Sequence, residues 1–354
     1  MGSGRLFRLW KPSVFQGVLK RNRRYFEGWY FKLVSEDRKT VLAIIPGVAL
    51  GEPADDGSIS STAFVQVIDG RTTRSVFVRY PLEEFSFSRG RFGIKVGKNQ
   101  FSLSSVELDI DSPELRLKGH FEIHQPAEFP TSIVAPGVMG PFAFVPFMEC
   151  YHGVVSMNHS LSGRGEIEWR GTGGPNAPIH LDRGLGYIEK DWGRSFPTSW
   201  IWAQSNHFDR KNVCIMVSVA RIPWLRSYFT GFMAILWIEG RFHTFATYTG
   251  ARLSSIALSK EQVEIEIVDR KRRLIVQASR AAHGILLAPV EGRMDRRITE
   301  SIDAAIEVSL YDRSGSLLFE GTGEVAGLEV AGDIAELLAG AGLSSAPELE
   351  TRVL

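Results

Sequence analysis

The stretch Gly186–His207 concentrates the residues best suited to chemistry on an apolar molecule. Read as a strand, Ser199–His207 places Trp200, Trp202, Gln204 and Asn206 on one face, and Ile201, Ala203 and Ser205 on the other. Two indoles followed by two amides suit a cavity that holds a flat, greasy ligand and hydrogen-bonds its polar end. The alternative is that both tryptophans are core and both amides cap a sheet rim. Upstream, Tyr187, Glu189 and Asp191 alternate onto one face, running toward a turn expected at Trp192-Gly193. Asp191, with Trp192, Phe196 and Trp200 nearby in sequence, is a candidate carboxyl kept protonated by desolvation, and so a candidate general acid. Against this stands a carboxylate paired with Lys190 or Arg194, or bonded to turn amides.

A second cluster is Glu149–His159, where extended chain puts Cys150 and His152 on one face and Glu149 and Tyr151 on the other. His152 can shuttle protons or hold a structural hydrogen bond. His120 and His124 share a strand face, but no carboxylate stands at a supporting spacing. With two cysteines and no C-x-x-C, a structural zinc site is not expected. Between the histidine clusters lies an uncharged Pro/Gly/Phe loop, Phe129–Met148. It suits a lid, a membrane-touching surface where apolar substrate enters, or a connection packed on the core. Near the start, Arg23–Lys32 reads as structure: Trp29 plugs a barrel and Glu27 pairs with one of its arginines.

These residues need elements to hold them, and the elements read as strands. Period-two alternation bounded by turn residues recurs along the chain. Phe64–Ile68 and Ser75–Tyr80 flank Asp69-Gly70, and Phe85–Ser88 and Arg91–Val96 flank Arg89-Gly90. Leu115–His124 is another strand. Val263–Val268 and Arg273–Ala278 form a hairpin, as do Ala305–Tyr311 and Ser316–Glu320. Helical periodicity appears in Ile334–Leu338. The fold class expected is all-β, with two tandem antiparallel barrels and a short C-terminal helix. The boundary is placed in Gly171–Pro178, giving barrels over 1–175 and 176–330 and a helical tail over 331–354. At 354 residues the chain can form two full cores, and a net charge of +1 gives no electrostatic case for nucleic acid. Tyr228–Ile238 is too short to span a membrane as a helix, and the prolines of Phe129–Met148 exclude a continuous one there. Cys150 and Cys214 suit a reducing cytosol, and Met1–Phe15 lacks a secretory signal pattern.

The same stretches resemble the tocopherol cyclase family. Tyr25-Phe-Glu-Gly-Trp-Tyr-Phe-Lys32 looks like its opening motif. Pro136-Gly137, Pro146-Phe147, Glu149-Cys150, His152, Ser156-Met157, Leu161-Ser-Gly163 and Ile167-Glu-Trp169 continue in register. The likeness is densest at Glu189-Lys-Asp-Trp-Gly193, Phe196-Pro197 and Trp200-Ile-Trp-Ala-Gln204, with Asn206 and Phe208, and it fades beyond Tyr248. The resemblance implies closure of a prenylated benzoquinol to a chromanol. More distantly the chain is similar to carotenoid 1,2-hydratases, whose fold is two tandem lipocalin-like barrels. Both reactions begin with protonation of a trisubstituted alkene and end with capture of the tertiary cation by oxygen, so the resemblance implies neither a metal nor any other cofactor. On that reading Asp191 is the acid. Trp192, Trp200 and Trp202 face the cation, and Gln204 and Asn206 orient the quinol. Tyr187 and His152 complete the binding residues. A non-catalytic carrier or sensor of an apolar isoprenoid, or an alkene hydratase, uses the same kind of pocket. The expected partner is an apolar small molecule, and the expected location is the cytoplasm, with peripheral membrane contact through 129–148.

Overall fold

A computed structural model of the protein describes residues 8–19, 24–52, 61–171, 176–281 and 283–343. It is all-β: among these residues two large antiparallel sheets carry the chain, and the one α-helix that forms an element is Ile334–Gly340. By compactness the chain divides into one unit of 1–196 with 284–298, and another of 197–283 with 299–354. The boundary therefore falls after Phe196 and not in Gly171–Pro178. Where it is described, that Gly/Pro stretch joins Cys150–Trp169 to Ala177–His180, which pair with each other inside the first sheet. Residues 172–175 lie outside the described residues.

In the first sheet, Tyr25–Val34 lies between Val41–Leu50 and Gly184–Gly193, and Gly184–Gly193 in turn pairs with Cys150–Trp169. The ladder continues through Leu115–His124 to Phe85–Phe87 at one end and through Thr62–Asp69 to Arg74–Tyr80 at the other. Among the described residues these end strands are not bonded to each other, so in place of the expected closed barrel stands an open sheet. Its interior holds one core that includes Trp29, Phe31, Ile44, Val65, Phe101 and Ile188. The second unit repeats the plan around Ile201, Ala203, Val217, Ile265, Val308 and Leu328. Its helix begins at Asp333, whose side chain accepts from the backbone N–H groups of Ala335 and Glu336. The expected tail beyond residue 343 lies outside the described residues.

Strand alternation sorts Gly184–Gly193 into two faces. Ile188 and Trp192 join the interior core, and with them goes Lys190, fully buried. Its ammonium lies 2.6 Å from the equally buried Glu27 carboxylate and donates to the carbonyls of Pro12 and Val14 at 2.8 and 2.6 Å. It also sits 4.8 and 4.7 Å from the ring centres of Trp29 and Trp192. Glu27 accepts from the backbone N–H groups of Gln16 and Gly17 and from the Tyr25 hydroxyl. Trp29 is buried as expected, but Glu27 is partnered by Lys190 and not by an arginine. Burial lowers the Lys190 pKa to about 8 against the opposing pull of Glu27.

Removing one member of a buried ion pair strands the other. Lys190→Met is expected to lower the unfolding free energy by about 3–5 kcal/mol in denaturant titration. A loss below about 1 kcal/mol would show that the pair does not hold this strand.

Candidate active site

The opposite face of Gly184–Gly193 carries Tyr187, Glu189 and Asp191. The register of the neighbouring strand sets His152 directly across from Asp191 and Val154 across from Glu189. Facing residues of an antiparallel pair project to the same side, so the imidazole meets both carboxylates. His152 Nδ1 lies 2.9 Å from Asp191 Oδ1, and Nε2 lies 3.4 Å from Glu189 Oε2. The Tyr187 hydroxyl donates to the same Glu189 oxygen at 2.6 Å. Side-chain exposure is 13% for His152, 7% for Glu189 and 22% for Asp191, so the chain of groups is mostly dry and reaches solvent at Asp191.

Burial alone would lower the His152 pKa. The Asp191 and Glu189 charges more than offset it, leaving the ring well above the usual histidine value. Cys150 Sγ stands 3.9 Å from Asp191 Oδ1. Burial, followed by the Asp191 and Glu149 charges, pushes that thiol well up, so it stays protonated and is a poor nucleophile. At the strand's end Gly193 has φ +151°, and a Cβ there would strike the Glu149 carbonyl oxygen at 2.2 Å. This close approach lets the Arg194 N–H donate to Glu149 O at 2.8 Å and fixes the rim beside Asp191. The turn expected at Trp192-Gly193 is thus a strand continued through Gly193.

The three groups also offer ligand atoms within 4.8 Å of one another, as a metal site requires. The chemistry of the donor set argues for a proton relay. A metal takes a lone pair from a neutral imidazole. Here the two carboxylates stand off opposite ring nitrogens, which favours both N–H bonds and the cation.

Of the residues singled out in the sequence, the structure joins Asp191, His152 and Tyr187, and adds Glu189 as the second carboxylate. Asp191 is paired neither with Lys190, which is committed to Glu27, nor with Arg194, which meets Glu291 at 2.6 Å. Trp192 lies on the other face, stacked on Tyr151 at 5.4 Å, so it does not face Asp191. Trp200, Trp202, Gln204 and Asn206 are buried residues of the second unit. There the Trp200 indole donates to Glu329 at 2.5 Å, and the Gln204 amide lies 3.7 Å from Cys214 Sγ. An open groove of about 1220 Å³ in the first unit, lined in part by Trp10, Arg91, Phe129 and Val155, includes neither Asp191 nor His152. The candidate site is therefore drawn from the acid–base cluster and not from the groove.

The model of the tocopherol cyclase-like family matches residues 126–332, more than half of the chain and all of the cluster just described. The chain belongs to the tocopherol cyclase-like family. The match extends well past Tyr248, where the sequence likeness fades, and begins after the Tyr25–Lys32 motif. A probable chloroplastic tocopherol cyclase of Oryza sativa subsp. japonica is 26% identical over 212 residues, 54% of this chain and 42% of that protein. A chloroplastic tocopherol cyclase of Zea mays is 26% identical over 204 residues, 54% of this chain and 41% of that one. The chain thus spans about two-fifths of the curated relatives it matches. The crystal structure of CghA with Sch210972 has a TM-score of 0.54 at 11% identity, covering 87% of this chain and 89% of that one. This likeness establishes the shared lipocalin-like, all-β fold. Among the described residues no helix is long and apolar enough to cross a membrane.

The two histidines of the Cys150–Trp169 strand, His159 buried and His152 partly so, should have pKa values shifted in opposite directions. His159, lowered by burial to about 3, should stay neutral, whereas His152 should keep its proton well above the usual histidine value. Because the folded pKa of His152 is raised, its contribution to stability is fully present below about pH 6.5 and fades as pH climbs through the folded value. Ring NMR titration checks this. A His152 transition near pH 6.5 would contradict the geometry.

Proposed function

We propose that the protein is an acid-catalysed cyclase of a prenylated benzoquinol or closely related isoprenoid, with Asp191 as the proton donor. The observation that carries this reading is the His152 ring set between two carboxylates, with Nδ1 2.9 Å from Asp191 Oδ1 and Nε2 3.4 Å from Glu189 Oε2. Membership of the family supports the reaction class.

Protonating an alkene requires a carboxylic acid whose conjugate base is well stabilised. In the reactive state this reading requires, Glu189 keeps the His152 ring charged while a further proton sits on Asp191 Oδ2, and the His152 N–H to Oδ1 meets the negative charge that forms as that proton leaves. Glu189, fixed by Tyr187, holds the ring in orientation and favours its charged form. Asp191 gives its proton to the alkene carbon, leaving a tertiary cation. The phenol oxygen bonds to that cation, and the phenol proton passes to the Asp191 carboxylate. The substrate is isomerised, the acid is restored, and no oxidant or reductant is consumed. The phenol oxygen, held in the same molecule as the cation, outcompetes water that reaches Asp191.

Asp191→Asn is expected to cut turnover of a prenylated quinol by about 10²–10⁴-fold while leaving the thermal transition in place. Glu189→Gln removes one anion from beside His152, so the alkaline limb of activity should move to lower pH. A fully active Asp191→Asn enzyme would overturn the assignment. Ligand binding without product, in the unmodified protein, would identify a carrier.

A further inference from the structure

The uncharged stretch Phe129–Met148 is ordered, and it still turns large apolar side chains outward. Ile133 and Val134 are 85% and 69% exposed, and Phe147 is 52% exposed. Ser132 and Ala135 exchange backbone hydrogen bonds, closing a tight turn with Ile133 and Val134 at its tip. The Trp10 indole donates to Ser132 O at 2.8 Å and packs on Phe144 at 5.5 Å, tying the N-terminal segment to this tip. Next to Trp10, Lys11 donates to Gly90 O at 3.1 Å, which brings its ammonium to the turn carrying Arg89 and Arg91. All three basic side chains are exposed, and acidic residues flank the apolar stretch only at its ends, Glu128 and Glu149. The open groove of the first unit is lined by Trp10, Lys11, Arg91, Phe129 and Pro130, among others, so it opens at this same surface.

We propose that this surface docks on an anionic lipid bilayer, with Ile133, Val134 and Phe147 entering the headgroup–acyl boundary and Lys11, Arg89 and Arg91 meeting lipid phosphates. The elements of an interfacial anchor are all present: a rigid apolar tip, an indole beside it and a basic rim. Charge complementarity selects a membrane over a second copy of the chain, because two basic rims would repel. The back of the loop reaches the catalytic strand, where the Tyr151 hydroxyl donates to Val145 O and the His152 N–H lies 3.1 Å from Met139 Sδ. A contact here would deliver lipid-dissolved molecules next to the site. The docking itself does not depend on what Asp191 does.

The test is sedimentation of the full-length protein with vesicles of phosphatidylcholine alone and of phosphatidylcholine with phosphatidylglycerol, without substrate. The protein should partition onto the anionic vesicles, and less so as salt rises. Ile133→Asp with Val134→Asp should weaken partitioning by about tenfold or more, and Lys11→Gln with Arg91→Gln by about fivefold per charge. All four positions are exposed, so an unchanged melting transition is expected and serves as the folding control. Three results would overturn the proposal: no partitioning of the unmodified protein, partitioning that ignores these substitutions, or self-association through the same tip with no vesicle binding.

Discussion

Lys190 is surrounded by the interior of the first sheet, and its ammonium is satisfied there by Glu27, by two backbone carbonyls and by two indole faces. Because successive strand residues point to opposite sides, that single inward commitment places Glu189 and Asp191 outward together. A one-residue slip would expel the ammonium from its partners and bury two carboxylates in its stead. The same pair holds the N-terminal segment, since Lys190 takes the carbonyls of Pro12 and Val14 while Glu27 takes the N–H groups of Gln16 and Gly17. The ion pair thus fixes the strand, its register and the segment that leads to Trp10.

On the outward face, a cross-strand pair forms the candidate site. His152 opposes Asp191 because Cys150–Trp169 meets Gly184–Gly193 in antiparallel register, and Gly193 lets the chain pass close to Glu149 at the end of that ladder. The imidazole is then held by charge: burial opposes its proton, and two carboxylates restore it. The neighbouring thiol is silenced first by burial, with the Asp191 and Glu149 charges adding to it. A site with a fixed cation, a carboxyl edge open to a ligand and little water has the composition that alkene protonation demands.

Much of this was legible in the residues. Alternation alone sets Tyr187, Glu189 and Asp191 on one face, and Cys150 with His152 on another. It also makes most of the hairpins readable, because each is closed by local turn chemistry. What alternation does not carry is which strand neighbours which. The pairing of His152 with Asp191 and of Lys190 with Glu27 joins distant parts of the chain, so Glu189 was visible as a face but not as a second carboxylate on His152. Trp192 was grouped with Asp191 by adjacency, although adjacent strand residues point apart. Gly171–Pro178 resembles a linker in composition, yet the strands Cys150–Trp169 and Ala177–His180 on either side of it pair inside the first sheet.

The central claim is that a proton from Asp191 starts a ring closure in which the substrate's own oxygen captures the cation. Turnover of a prenylated quinol in D₂O enriched with ¹⁸O, read by mass spectrometry, tests it directly. One deuterium should appear on the carbon next to the new C–O bond, with no ¹⁸O in the product. Product carrying ¹⁸O would mean that water captures the cation, and product without deuterium would mean that no acid proton enters at all. Either result would contradict the account.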